Sequence, residues 1–384
     1  MGLIEIKADF CFLQKKIVLP FYYKNLAMNN MTDIAKRFPE NPLLLPTDLP
    51  PSREGLEITC LLNPGVFQYQ NKTWLIVRVA ERPKQKEDLI SFPILAETGG
   101  ITIVEIATND PDLFATDSRV INYKGDDYLT TLSHLRLLCS ENGRDFYEPE
   151  GYPQLVGEGI LEAFGIEDCR VSLIEGTYYL TFTSVSSNGV GVGLRTTTDW
   201  KNFQKKGMIF PAHNKDCAIF EEKINGLFYA LHRPSSVDIG GNYIWIASSP
   251  DGIHWGNHHC IIRTRKGLWD SKRVGAGAAP IKTEQGWLAI YHGANFEHQY
   301  CLGAFLMDLE DPTKVIARTE DPIMSPTTTY ELIGFFGNVV FTNGHIVEPD
   351  GDTITFYYGA SDEYVCGAEF SIKEILSLLK PTNI

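Results

Sequence analysis

Glu175-Gly176-Thr177-Tyr178-Tyr179-Leu180-Thr181 joins a tight-turn pair to a strand rich in aromatic and β-branched residues, which is the signature of a β-hairpin. The same pattern recurs in Asn71-Lys72-Thr73-Trp74-Leu75-Ile76-Val77, Asn225-Gly226-Leu227-Phe228-Tyr229-Ala230-Leu231, Gln285-Gly286-Trp287-Leu288-Ala289-Ile290-Tyr291 and Asp350-Gly351-Asp352-Thr353-Ile354-Thr355-Phe356-Tyr357. The first interval is about 105 residues and the later ones run about 50 to 65, the length of one four-stranded propeller blade, with insertions in the first. A second element follows some of these hairpins: Ser140 to Phe146, Thr197 to Phe203 and Ser249 to Trp255 are polar turns that close on an aromatic. They fit the link between the third and fourth strands of a blade. Five copies predict an all-β chain folded as a five-bladed β-propeller.

Outside the repeats, residues 1–30 match nothing later in the chain and read as a short N-terminal appendage, leaving 31–384 as one propeller domain. The prolines between Pro39 and Pro51 predict an extended lead-in. The spacing of Ile372, Ile375, Leu376 and Leu379 predicts a C-terminal closing helix.

Composition narrows the function. A net charge of −14 disfavours nucleic acid or an anionic membrane surface as a partner, because both reward a basic face. The 17 Tyr, 21 Phe and 6 Trp would suit sugar rings, although most of them are expected to fill the core. The eight cysteines stand singly, with no spacing suited to zinc, and read as reduced, mostly buried thiols; no metal or cofactor is expected. No apolar run is long enough to cross a bilayer as a helix, and the stretch 17–23 is short and broken by Pro20, so the expectation is a cytoplasmic protein, or a periplasmic one if a signal peptide has been trimmed. Whether the chain forms a homo-oligomer is left open.

Propellers bind ligands where the inner strands converge, so residues at equivalent places in each copy are the candidates. They are Asn63 and Arg78 from the first copy, Asp168 and Arg170 from the second, and Lys215, Asp216, His232 and Arg233 from the third. The fourth gives Asp270, Lys272 and His292, and the fifth gives Asp362. Within Glu167-Asp168-Cys169-Arg170, strand alternation predicts that only one of the two adjacent acids reaches a substrate while the other packs or pairs with Arg170. The plain alternative is a strand-end ion pair.

These residues sit in stretches that together resemble glycoside hydrolase family 130, the mannoside phosphorylases and β-mannosidases. The stretches are Asn63-Pro64-Gly65, Glu167-Asp168-Cys169-Arg170, Asn214-Lys215-Asp216, Leu231-His232-Arg233-Pro234, Val274-Gly275-Ala276-Gly277, Tyr291-His292-Gly293 and Tyr357-Tyr358-Gly359-Ala360-Ser361-Asp362. The resemblance implies a mannose-containing oligosaccharide as substrate and Asp168 as proton donor acting through a sugar hydroxyl. It also implies an anion pocket in phosphorylases at Arg170, Lys215, His232 and Tyr243. Gly191 stands where a basic residue is common in the phosphorylases, and Glu221 replaces a proline usual before Glu222. An added acid and a lost base disfavour a phosphate dianion, so the expectation is an inverting exo-acting β-mannosidase that hydrolyses β-1,2-linked mannosides. Glu221 is the candidate base and Asp270 the second choice. The alternatives are a mannoside phosphorylase releasing α-mannose 1-phosphate and a non-catalytic glycan-binding propeller.

Overall fold

The structure, a computed structural model, describes residues 33–96, 100–117, 120–235 and 239–382; residues 1–30 lie outside them. The chain is all-β. Five antiparallel sheets follow one another along it, and each predicted hairpin supplies the second strand of one sheet. Sheet I pairs Leu56–Tyr69, Lys72–Pro83 and Leu132–Ser140, and sheet II pairs Ile166–Ile174, Thr177–Ser186, Gly189–Thr197 and Gln204–Phe210. Sheet III runs Asn214–Ile219, Phe228–Pro234, Ile244–Ser249 and Gly256–Ile262. Sheet IV is built on Arg273–Ala276, Gly286–Ala294, Tyr300–Met307 and Val315–Thr319, and sheet V on Val340–Val347, Thr353–Ala360 and Tyr364–Ser371. The long first interval holds a hairpin, Leu89–Leu95 with Ile101–Ala107, and a three-stranded sheet that ends at Leu129.

The turns explain the recurrence. Gln70 and Asn71, Glu175 and Gly176, and Asn225 and Gly226 are successive pairs with positive φ, the backbone that lets a two-residue loop follow the twist of its strands. The polar turns share one device: Asn142, Asp199 and Asp251 each accept backbone N–H bonds through Oδ1 from the residues two and three positions later. Their aromatics close the core. Trp200 is fully buried, and its ring stacks on Phe67 of sheet I with centroids 3.6 Å apart. The aromatic residues thus hold neighbouring sheets together. Of the cysteines, Cys60, Cys139, Cys169, Cys217, Cys301 and Cys366 are buried free thiols and Cys260 is half-buried, while Cys11 falls outside the described residues.

Two edges differ from the expected four-strand repeat. The outer position of sheet I is reduced to bridges of Cys139 with Tyr147 and Leu135 with Leu155. Sheet V takes its outer strand from Lys36–Arg37, which pairs with Glu369 and Ala368, so the lead-in is partly strand. At the other end of the chain, a helix at Ile372–Leu378 delivers Leu379–Pro381 to the edge of sheet IV. Arg37 fastens the first of these joints: Nε lies 2.7 Å from the buried carboxylate of Glu331, and Nη2 donates to Ser325 O at 2.7 Å. Removing one partner of a buried pair leaves an uncompensated charge. Arg37→Ala is therefore expected to destabilise the fold by about 3 kcal/mol, measured as a lowered urea midpoint with little change in m value.

Successive sheets also touch through their first strands: that of sheet I packs on those of sheets II and V, and that of sheet II on that of sheet III. The approach is close enough that a Cβ on Gly65 would stand 2.6 Å from Cys169 O. Asn343 Nδ2 donates to Asn63 O across the seam from sheet V to sheet I.

Candidate active site

The inner strands carry bulges at matching places. Register shifts fall between Leu62 and Gly65, between Glu167 and Arg170, and between Lys215 and Ala218. Asn63, Asp168 and Asp216 take positive φ there, a conformation that Asn and Asp tolerate better than most residues. A bulge re-aims side chains. This corrects the expectation from simple alternation, because both Glu167 and Asp168 line one cavity of about 470 Å³.

Seven of the predicted residues line that cavity: Asn63, Arg78, Asp168, Lys215, Arg233, His292 and Asp362. Asp168 is buried. Its Oδ1 accepts from Asn63 Nδ2 at 3.0 Å and Arg78 Nη1 at 3.1 Å, and its Oδ2 lies 3.9 Å from Lys215 Nζ. Burial opposes its charge, but Arg78, Lys215, Arg170 and the Asn63 amide outweigh burial and hold the carboxyl below its ordinary value. The free site therefore has Asp168 ionised, not protonated near neutrality as a resting acid would be. Asp362 behaves in the opposite way: burial, reinforced by Asp168 and Glu167 against Arg78 and Lys215, pushes it up to about 6. Arg78 links the acids, since Nη2 also donates to Glu167 Oε1 at 2.7 Å.

Behind the cavity lies a supporting layer. Asp216 is buried with Arg233 Nε 2.8 Å and His292 Nε2 3.3 Å from its Oδ2, and Arg170 Nη2 3.5 Å from its Oδ1. Although burial works against it, these groups keep Asp216 well below the usual carboxylate range. Gly275 makes the cluster possible: a Cβ there would stand 2.2 Å from Asp216 Oδ2 and 2.4 Å from His292 Nε2. Arg170 donates to the carbonyls of Asp168, Ala276 and Gly277 at 2.9 to 3.2 Å, tying sheet II to sheet IV. Arg170 and Asp216, predicted to bind substrate, are absent from the cavity lining and instead hold the lining residues from behind, Arg170 through backbone carbonyls and Asp216 through its ion pairs with Arg233 and His292.

Other predicted residues lie elsewhere. Glu221 is exposed at the far end of the inner strand, where its Oε1 accepts from Leu173 N at 3.0 Å. Leu173 is five residues along from Asp168, about 16 Å at strand rise, so Glu221 cannot serve as the base opposite Asp168. Asp270 is buried on the other face of sheet IV: Tyr291 and His292 are strand neighbours and point to opposite sides. Its carboxylate is held by Arg265 Nη2 at 2.8 Å, Arg318 Nη2 at 2.5 Å and the Tyr291 hydroxyl at 2.9 Å. It is a structural anion. His232 also lies off the cavity, with Nδ1 paired to Asn214, Nε2 3.2 Å from His258 Nδ1, and its ring on Phe210. Tyr243 faces the Arg263 guanidinium at 5.2 Å. Lys272 approaches His298 at the cavity mouth, with 3.0 Å between Nζ and Nε2.

Sequence reasoning missed Arg273, Tyr300 and Phe341, which line the cavity, and Phe335 and Phe336 of the loop before sheet V. Arg273 pairs with Ala294, two residues beyond His292, a register that the sequence does not spell out, and the loop residues carry no repeated signature. Besides Arg78, which is paired with Glu167 and Asp168, three further cations, Lys215, Arg233 and Arg273, line the same space, and Arg233 Nη1 is buried without a hydrogen-bond partner in the protein. A buried, unsatisfied guanidinium N–H is costly unless a ligand anion takes it.

Known proteins bear on this geometry. The chain matches a glycosyl hydrolase 130 family model described as beta-1,4-mannooligosaccharide phosphorylase over residues 116–381. It is 44% identical over 350 residues to a β-1,2-mannobiose phosphorylase of Listeria innocua, covering 90% of this chain and 98% of that protein. A 1,2-β-oligomannan phosphorylase of Thermoanaerobacter sp. is 38% identical over 247 residues, with 64% of this chain and 80% of that protein covered. The solved complex of the Listeria innocua enzyme with β-1,2-mannobiose superimposes with a TM-score of 0.85 at 43% identity, over 90% of this chain and 98% of that one. These relatives are phosphorylases, and they overturn the expectation of a hydrolytic mannosidase. That expectation weighed Gly191 and Glu221, and neither is among the residues lining the cavity. By the family match and the near full-length identity, the chain belongs to glycoside hydrolase family 130.

Proposed function

We propose that this protein is a β-1,2-mannobiose phosphorylase, in which phosphate attacks the anomeric carbon of the terminal mannosyl unit with inversion to give α-mannose 1-phosphate and mannose. The five sheets are read as the blades of a five-bladed propeller, with the cavity where their inner strands meet. The carrying observation is that Lys215, Arg233 and Arg273 line the same cavity as Asp168, with an unpartnered guanidinium nitrogen on Arg233. A phosphate dianion brings its own charge and needs no protein base, whereas a hydrolase needs a carboxylate to activate water. Asp168 supplies the proton to the departing sugar, Asn63 and Arg78 orient it, and Arg170 and Asp216 hold Arg233 and His292 from behind.

Incubation with β-1,2-mannobiose tests the reading. The expected result is α-mannose 1-phosphate formed in step with added phosphate, and no turnover without it. Release of two mannose molecules at a rate indifferent to phosphate would return the enzyme to the hydrolases.

A further inference from the structure

Asp168 must lose a proton to the leaving sugar, yet its surroundings favour the ionised form. Asn63 and Arg78 reach it from sheet I, Glu167 and Arg170 share its strand, Lys215 approaches from sheet III and Asp362 from sheet V. Arg78 is already shared with Glu167, and Arg170 is engaged with carbonyls and Asp216. Lys215 is different. Its ammonium is 3.9 Å from Asp168 Oδ2, beyond a hydrogen bond, and it opens on the same cavity as Arg233 and Arg273. Lys215 thus belongs to the cationic wall and at the same time lies beside the acid.

We infer that phosphate arms the acid: a dianion seated on Lys215 and Arg233 offsets the positive field at Asp168, so that anion binding carries a proton from solvent onto Asp168, with Lys215 as the positioning residue that couples the two events. This rests on the phosphorylase reading. The cycle balances. The proton taken up at binding passes to the glycosidic oxygen as the C1–O bond to the leaving mannose breaks and the bond from C1 to a phosphate oxygen forms. The hydrogen phosphate proton then leaves with product release, and Asp168 returns to its ionised state. Without an anion the acid stays unprotonated, so water is excluded as a nucleophile by the state of Asp168 and not by a barrier to its entry.

Sulfate provides the test, because it remains a dianion across neutral pH and can neither donate nor accept the proton. Its binding to the whole protein would be followed by titration calorimetry in buffers of different ionisation enthalpy. Wild type is expected to take up a proton, approaching roughly one per sulfate, with affinity falling by up to about tenfold per unit rise in pH. Asp362, at about 6 in the free site, can also take up a proton, so Asp168 is read in the Asp362→Asn background. Asp362→Asn is expected to keep the uptake and Lys215→Met in that background to lose most of it, while adding Asp168→Asn is expected to tighten sulfate binding and leave no linked proton. Uptake that survives in the Asp168→Asn, Asp362→Asn double variant, or that vanishes in Asp362→Asn alone, would overturn the assignment. Sulfate binding to wild type without proton uptake would overturn the coupling and leave the phosphorylase reading standing, whereas no sulfate binding would overturn both.

Discussion

Asp168→Asn is expected to lower kcat on β-1,2-mannobiose by about 100-fold to 10,000-fold, the usual loss when a general acid is removed. The amide has nearly the shape of the carboxyl and can still accept from Asn63 and Arg78 through its oxygen, so the thermal midpoint should move little. It cannot release a proton at any useful rate. The defect should shrink with a β-mannoside whose leaving group is a nitrophenolate, because a stable anion departs without protonation. Steady-state rates on the two substrates separate a lost acid from a distorted site. An equal loss on both would remove Asp168 from the proton-transfer step and leave it a role in binding.

Arg233→Lys is expected to raise KM for phosphate by roughly 10-fold to 150-fold, equivalent to the 1.5 to 3 kcal/mol of one hydrogen bond to a charged group. The lysine keeps a positive charge beside buried Asp216, so the fold is preserved. What it lacks is the planar fork, in which Nε lies 2.8 Å from Asp216 while Nη1 is left without a partner in the protein and is free to take an anion. Initial rates at varied phosphate and at varied mannobiose distinguish the outcomes. If KM for the sugar rises and that for phosphate does not, Arg233 contacts mannose and the anion site must lie elsewhere on the wall.

How far the sequence carried the reading follows from strand geometry. Hairpins were legible because a tight turn demands positive φ, and that demand marks the chain with Gln-Asn, Glu-Gly and Asn-Gly pairs before three of the aromatic strands and with a glycine, Gly286 or Gly351, before the other two. Asn63, Asp168 and Asp216 were legible because they recur at one place on successive inner strands, and Lys215 because it directly precedes that place. Charge in the sequence neighbourhood was a poor guide beyond that. Glu221 is only five residues from Asp216, but in an extended strand this separates the two ends of a sheet. Asp270 is near Arg273 in the chain, but its carboxylate belongs to the opposite face, where Arg265 and Arg318 neutralise it. Phe335, Phe336 and Tyr300 reach the cavity only through the packing of sheets IV and V, which no local pattern announces.

The edge strands at Lys36–Arg37 and Leu379–Pro381 have a consequence for biosynthesis. Sheet V is finished by residues made near the start of the chain, and sheet IV by residues made near its end. A growing chain that has already made Asn63, Asp168 and Arg233 still lacks Asp362 and both fastenings. Its first-made edge must wait, unpaired, while more than three hundred further residues are translated. The cavity is therefore completed only after Asp362 and both fastenings have been made, and a chain cut short of them leaves the early strand open to capture by quality-control factors.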